Sequence, residues 1–289
     1  MLRTTIRYFS YPLIMLIVAA ALLALWTSGG ALWPAATGIA LLGVLVVAVL
    51  EWLAPYEERW LHAHADVGAD LLHNLVNLSL IQFVSYWLYR WTSAAPWQAW
   101  PAEWPLWAQL ALVAIIVDLS LYGMHWLSHR VDWLWRLHAI HHSPERLYWF
   151  NGERRHPLHA MLMAFPGLAV LALLTVPQEL VTIWFAILTV HLAFQHSNID
   201  YSLGPLKTWL GVAEMHRWHH KRDFEDAQVN YGEFLLIWDR LFGTLYTAAA
   251  PIRAGEVGLR DRAFPQTYWR QLIWPFRAKL GDPATGKAT

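Results

Sequence analysis

Twelve of the fifteen histidines in this chain fall between His125 and His220, and their spacing limits what the chain can fold into more than any other feature. They form three groups: His125-Trp-Leu-Ser-His129, His138-Ala-Ile-His141-His142 and His216-Arg-Trp-His219-His220. Residues three and four apart share one face of a helix, so each group aims two or three imidazoles at one point. The doubled histidines can serve two neighbouring points. Eight convergent neutral nitrogens are about what two transition-metal ions need, with positions left open for oxygen. Imidazole suits iron, zinc, copper or nickel, and no cysteine is present to favour a softer metal. The missing cysteines also exclude disulfides, cysteine-held zinc modules and thiol catalysis. A lone His-x-x-x-His at a helix end reads more readily as a pair at the membrane interface than as a metal site. Its combination with two further groups, the last some seventy residues downstream, makes coincidence the weaker reading.

The remainder of the chain supplies a membrane frame. Of its 289 residues 57% are hydrophobic and 15% charged, and the mean hydropathy is +0.30, the composition of an integral membrane protein. A formal net charge of zero gives no basic field for nucleic acid, and the twenty tryptophans suit membrane–water interfaces. Spans are expected near Phe9–Trp26, Ala31–Leu50, Leu71–Trp91 and Pro105–Leu127, each close to the ~20 residues that cross a bilayer. The first is expected to stay in the protein rather than be cleaved as a signal. The apolar stretch Leu158–Phe194 is broken by Pro177 and predicts a helical hairpin, spanning or re-entrant. Residues 51–70 read as an aqueous loop, 92–104 as an interfacial loop, Tyr268–Arg277 as an interfacial amphipathic segment, and Asp282–Thr289 as disordered. The expected fold is therefore an all-α integral membrane protein with four full transmembrane helices, the hairpin, and a cytoplasmic helical cap carrying the histidines. Three regions follow: 1–104, N-terminal helices and loops; 105–247, the histidine-box catalytic core; 248–289, an interfacial segment and tail. Of the twenty-one basic residues only Arg90 falls on the side opposite the histidines, which predicts a cytoplasmic metal site and cytoplasmic termini.

The three boxes, together with Asp118, Tyr122, Arg130 and the late runs Asn230-Tyr231-Gly232 and Trp238-Asp239-Arg240-Leu241-Phe242-Gly243-Thr244, resemble the fatty acid hydroxylase/sterol desaturase superfamily. That group includes sterol C-4 methyl oxidases, sterol C-5 desaturases and alkylglycerol monooxygenase. The resemblance covers roughly residues 115–247. It implies a membrane-bound non-haem di-iron oxygenase, with two iron ions (Fe2+/Fe3+, for which zinc can substitute), that hydroxylates or desaturates a sterol, fatty acyl or alkyl-ether lipid with O2. It also implies a further metal-binding histidine at His196. Electrons must come from a separate donor (a ferredoxin, cytochrome b5 or a pterin), because no His-Pro-Gly-Gly motif of cytochrome b5 occurs in the chain. The membrane would be the inner membrane of a bacterium or the endoplasmic reticulum of a eukaryote.

The candidate metal ligands are thus His125, His129, His138, His141, His142, His196, His216, His219 and His220. Metal-bound imidazoles usually donate their second N–H to an oxygen acceptor. Asp118, two helical turns before His125, is a candidate acceptor, with Glu145, Glu214, Asp226 and Asp239 as others. His156 and Asn230 complete the set around the metals, Asn230 chiefly as a support for the cap. His191 is expected in the core or just behind the ligands, His159 is expected to be inert, and His62, His64 and His73 to be loop or interfacial residues. Tryptophans 126, 133, 135, 149 and 218 would line a lipid tunnel or anchor the cap. Competing readings are a catalytically inactive metal-binding scaffold, a zinc-dependent membrane hydrolase, a b-type haem electron carrier and a divalent-metal transporter. Haem ligation needs single histidines facing each other from two helices, and a transporter needs ionisable residues at mid-span; neither pattern is found here.

Overall fold

Five helices are long and apolar enough to cross a membrane in the computed structural model, which describes residues 1–30, 32–247, 250–261 and 263–277. They are α1 (Leu2–Ser28), α2 (Leu32–Leu53), α3 (Val67–Thr92), α4 (Leu106–Arg130) and, after α5 (Asp132–His142) and α6 (Pro157–Leu173), α7 (Gln178–His196). Three short helices follow: α8 (Ala213–His219), α9 (Ile237–Phe242) and α10 (Tyr268–Arg277). Among the described residues the only β-structure is three isolated bridges. The long helices present leucine, isoleucine, valine and aromatic side chains outward, among them Leu16, Leu42, Leu75 and Phe83. So much apolar surface suits lipid rather than water. The chain is a multi-pass all-α membrane protein.

The helices run further than the apolar stretches, α1 starting at Leu2 and α4 continuing to Arg130. Backbone hydrogen bonding carries a helix into the polar interface as readily as through lipid. The expected hairpin forms α6 and α7, joined through Thr175, which has a positive φ of 56°, and Pro177, which sits at the N-terminal edge of α7. Since α6 starts and α7 ends among the histidines, the hairpin's turn lies at the opposite end of the molecule.

Packing follows small residues. The principal neighbours are α2 with α7, α4 with α6, α3 with α6, and α1 with α2. A Cβ on Gly43 of α2 would lie 2.7 Å from a methyl of Val190 on α7, so only glycine permits that approach. Between the α2–α7 pair and the α3–α6 pair, over Val117 and Leu121 of α4, lies a cavity of about 460 Å³.

Two expectations need correction. Residues 51–70 are not simply an aqueous loop. Glu51 is buried and accepts hydrogen bonds from the backbone N–H of Trp149 and of Asn198, both at 3.0 Å. Asp66 is buried and takes two from Arg146, at 2.7 and 2.8 Å. At the start of α3, Asp70 accepts from Tyr148 at 2.6 Å and from Arg154 at 3.2 Å. These carboxylates clamp the segment after α5, whose arginines and N–H groups require acceptors once they are buried. His73 is not interfacial either: it is fully buried, with Nε2 2.8 Å from Gln271 Oε1, and it docks α10 onto α3. Asn74 and Asn77 donate to the carbonyls of Phe150, Glu153 and Arg155, which accounts for the polar start of this span. The segment Tyr268–Arg277 forms helix α10 with Trp269, Ile273 and Phe276 exposed, and Asp282–Thr289 lies outside the described residues.

Candidate metal centre

The last two turns of α4 carry His125 and His129, and the chain breaks for one extended residue, Val131, before α5 begins. That break turns α5 back, so that His138 and His142 face the α4 pair; the His125 and His138 ring centroids are 4.8 Å apart. Ser143 Oγ donates to Ile140 O at 2.7 Å, and Pro144 cannot continue the helix, so α5 ends directly after His142. α7 ends at His196, and the short helix α8, about two turns long, brings in the third box.

The nine candidate ligands divide into two groups. His125, His129, His138, His142 and His219 form one, and His141, His196, His216 and His220 the other; within each group the candidate ligand atoms lie within 4.8 Å of one another. All nine are buried. The doubled histidines split: His142 and His219 belong to the first group, His141 and His220 to the second. His156 and the three histidines 62, 64 and 73 join neither.

The donor chemistry fits metal ions. Nε2 of His125, Nε2 of His219 and both ring nitrogens of His141 are buried with no hydrogen-bond partner among the described residues. Elsewhere imidazole nitrogens face each other: His138 and His142 Nε2 are 3.1 Å apart, His196 and His216 2.9 Å, His216 and His220 3.0 Å. Such separations are those of neighbouring ligands about 2.1 Å from one ion. Burial, followed by the positive field of neighbouring imidazoles and Arg155, pushes His138, His141, His142, His216, His219 and His220 well below the ordinary histidine range. The rings are therefore neutral, with lone pairs available for a cation.

The groups behind the ligands are mostly not those the sequence suggested. His125 Nδ1 is 2.8 Å from Tyr231 O, His219 Nδ1 3.0 Å from Val229 O, and His196 Nδ1 3.2 Å from Asn151 Oδ1. Gln228 Nε2 lies 3.1 Å from His129 Nδ1. Asp118 touches no histidine: it accepts from the N–H groups of Phe234 and Leu235 and from Trp238 Nε1, at 2.9, 3.1 and 2.9 Å. Asp239 accepts from the N–H groups of Tyr231 and Gly232, both at 2.8 Å, and from the Thr244 hydroxyl at 2.6 Å. It thus orients the carbonyl that holds His125 without reaching a ligand. Asn230 sits at φ 54°, a left-handed position that asparagine tolerates, and ties Met215 to Tyr246. His156 is a helix cap: its Nδ1 accepts from Leu158 N at 3.1 Å, and its Nε2 is 3.2 Å from Leu272 O. Glu145, Glu214 and Asp226 pair with Arg222, Lys207 and Lys221 at the surface.

Other residues come into view only here. Glu233, buried, has Oε1 3.5 Å from His125 Nδ1 and 3.4 Å from Arg155 Nη2; burial raises its carboxyl, opposed by Arg155. Its place directly after Asn230-Tyr231-Gly232 was the one sequence signal for it. His159 is buried, with its ring 4.6 Å from that of His138 and Nε2 2.9 Å from Ser128 Oγ, and joins neither group of candidate ligands. His191 bridges Tyr11 and the carbonyl of Glu233, at 2.8 and 3.0 Å. Of the five tryptophans, Trp135 packs against His129 and His142, whereas Trp133 is exposed.

Fold and site together define a class: helical membrane proteins with buried clusters of histidines at one end of the bundle, arranged so that they could hold metal ions. The sequence profile described as fatty acid hydroxylase matches residues 110–244. An ornithine lipid hydroxylase of Rhizobium tropici is 31% identical over 255 residues, covering 84% of this chain and 76% of that protein. Alkylglycerol monooxygenase of Danio rerio is 30% identical over 218 residues, 64% of this chain and 46% of that protein. The Homo sapiens alkylglycerol monooxygenase is 28% identical over 213 residues, 70% of this chain and 45% of that protein. This chain thus spans less than half of either alkylglycerol monooxygenase. No solved structure matches. The chain belongs to the fatty acid hydroxylase family, and it is an oxidoreductase of that type.

Proposed function

We propose that this protein is a membrane-bound di-iron oxygenase that hydroxylates a lipid with O2 and electrons from a separate donor. The observation that carries this reading is the division of nine buried histidines into groups of five and four; a largely apolar cavity runs between the helices and reaches Glu233, next to His125. His125, His129, His138, His142 and His219 would hold one iron, and His141, His196, His216 and His220 the other. Bound iron would supply O2 activation and the one-electron steps that oxidise an unactivated C–H bond.

The chain's own residues do the rest. The carbonyls of Tyr231 and Val229 and the Asn151 amide fix three imidazoles so that Nε2 faces inward. The cavity walls, including Ala160, Met163, Gly167 and Leu192, exclude water and accept an alkyl chain from the bilayer. Residues 105–247 form the catalytic core and 1–104 brace it, while in the C-terminal region 248–289 it is α10 that packs on α3 and α5. The asymmetry of basic residues favours a cytoplasmic metal site. Hydroxylation is preferred to desaturation, and a lipid substrate to any other, because the relatives are named as hydroxylases and monooxygenases, one of them for ornithine lipid and two for alkylglycerol.

The test begins with the metal content of detergent-purified protein from iron-supplemented cells, followed by lipid extracts incubated with O2 and a reductant. About two irons per chain and an O2-dependent oxygen insertion are expected. One metal or none, with no lipid product, would overturn the reading in favour of a scaffold or hydrolase.

A further inference from the structure

The cavity is a slot with one open side. Its walls follow a horseshoe of helices: α2 packs on α7, α7 on α4, α4 on α6 and α6 on α3. The two ends of the horseshoe, α2 and α3, make at most a marginal contact among the described residues. All five helices line the slot. At its back Val117, Met163, Leu168 and Leu188 are buried, whereas at its edges Leu41 of α2 and Leu78 and Gln82 of α3 are exposed. Loops cross both ends. At the histidine end residues 54–66 join α2 to α3, and they are pinned there by Tyr56 N–H donating to Asn198 O at 2.7 Å and by Arg146 on Asp66. At the other end Trp97 Nε1 donates to Leu173 O at 3.0 Å, which folds the loop after α3 over the turn between α6 and α7. The side left open faces sideways, along the stretch of α2 and α3 that crosses the bilayer.

Shape and lining select the occupant. Along α7 the slot runs from Gln178 to Leu192, about 21 Å of helix. A volume of about 460 Å³ over that length leaves a bore of roughly 22 Å², about 5 Å across, whereas a helix of a second copy needs about 10–12 Å. The charged residues of the lining, Glu153, Arg155 and Glu233, are confined to the histidine end. The hydroxyls of Thr37 and Thr189 are spent on Trp33 O and Phe185 O of their own helices, at 2.9 and 2.7 Å, so these walls present methyl groups. On α3 the polar residues Ser79, Gln82 and Ser85 recur at every third position and all line the slot. Polar side chains of spanning helices turn toward the protein rather than toward lipid, so this edge of α3 belongs to the slot and not to the outer surface.

We propose that the gap between α2 and α3 is a lateral portal through which one acyl chain of a bilayer phospholipid enters the slot. Such a chain is narrow, long and uncharged, and it comes from the phase that the open side faces. The proposal deepens the lipid-oxygenase reading above by naming the lipid and its way in. It rests on that reading for the fate of the chain, not for its binding.

The experiment uses the full chain in phosphatidylcholine nanodiscs with a trace of phosphatidylcholine that carries a diazirine at the end of one palmitoyl chain. Light attaches the chain end to its neighbours, and peptide mass spectrometry locates the labels. They are expected at the back of the slot, between Met163 and Leu168 and between Thr182 and Leu188, as well as on the outward faces of the helices. The chain has no cysteine, so Gln82→Cys introduces a sole thiol that a bulky pyrenyl maleimide can cap after folding. The cap should abolish labelling at the back of the slot and leave the outward labels unchanged. Phe83→Cys is the control: Phe83 is exposed on the next residue of α3 but does not line the slot, and capping there should leave the slot labelled. An unlabelled slot in the wild type would overturn the proposal. So would slot labelling that survives the cap at position 82, or that is lost equally with the cap at position 83. Oxidation of lipid, read in the same discs with O2 and a reductant, separates the two levels. Slot labelling without any oxidation keeps the portal and sinks the oxygenase, whereas oxidation with an unlabelled slot does the reverse.

Discussion

His141 has both ring nitrogens buried and without a hydrogen-bond partner among the described residues, while His62 is exposed in the segment before α3. The same residue type therefore has opposite expected consequences. His141→Ala or His219→Ala should lower the metal-to-protein ratio and abolish activity together, and His62→Ala should leave both intact; full metal in the His219 variant would count against the ligand assignment. Asp118 allows a contrasting test. Its carboxylate satisfies three buried donors of the Phe234–Trp238 segment and no histidine. Asp118→Ala should destabilise the protein by ~3 kcal/mol, since donors to a buried charged acceptor lose their partner, yet purified folded protein should keep its metal. Thermal unfolding and metal analysis on the same sample distinguish a support from a ligand. Asp239 and Asn230 belong with Asp118, because both fix the backbone that carries the Tyr231 carbonyl.

At the scale of helices, the site depends on where α4, α5, α7 and α8 end. Each delivers histidines from its last one or two turns, so a displacement of any one moves candidate ligands. α7 is held against α2 at Gly43, where a Cβ would already crowd Val190. Gly43→Leu should cost ~2 kcal/mol through overpacking, read as a lower midpoint of thermal unfolding. Gly38, where a Cβ would meet nothing within 4 Å, provides the control, and Gly38→Ala should unfold near the wild-type midpoint. Helix α6 has its own stop: the His156 imidazole caps its N-terminus, and His156→Ala should cost ~1 kcal/mol, the loss of one capping bond, with metal retained. The sequence pointed to His156 as a possible partner of the metals because it follows Arg155 and precedes Pro157. A histidine whose two nitrogens are both committed to backbone atoms is a structural one.

At the scale of the molecule, buried ion pairs join the start of α3 to the loop after α5. Burial pushes Asp66 upward, but its hydrogen bonds and charge interaction with Arg146 outweigh that and hold it below the usual carboxylate range. A group depressed in the folded state contributes stability above its unfolded pKa, about 3.9, and loses it as pH falls through the lower folded value. Stability of the detergent-solubilised protein should therefore fall below about pH 4, and Asp66→Asn should be less stable at neutral pH with a shallower acid limb. An acid limb as steep in the variant as in the wild type would rule the pair out as its source.

What the sequence determined by itself was local. Apolar runs of bilayer length marked the helices, because spanning lipid requires the backbone to satisfy itself within each segment. Histidines at three- and four-residue spacing marked the ligand candidates, because that spacing alone places them on one helix face. The tertiary structure decided what joins residues far apart: which group each histidine enters, which atoms stand behind it, and where the cavity ends. His125 meets the carbonyl of Tyr231, 106 residues away, and every residue has a carbonyl, so no residue type announces the partner. Asp118 looked like that partner from its helical register, but the loop carrying Phe234 and Leu235 reaches it first. Glu51, Asp66, Asp70 and His73 read as solvated or interfacial because their charge and polarity are visible in the sequence, whereas the arginines and N–H groups buried against them are brought together only by folding.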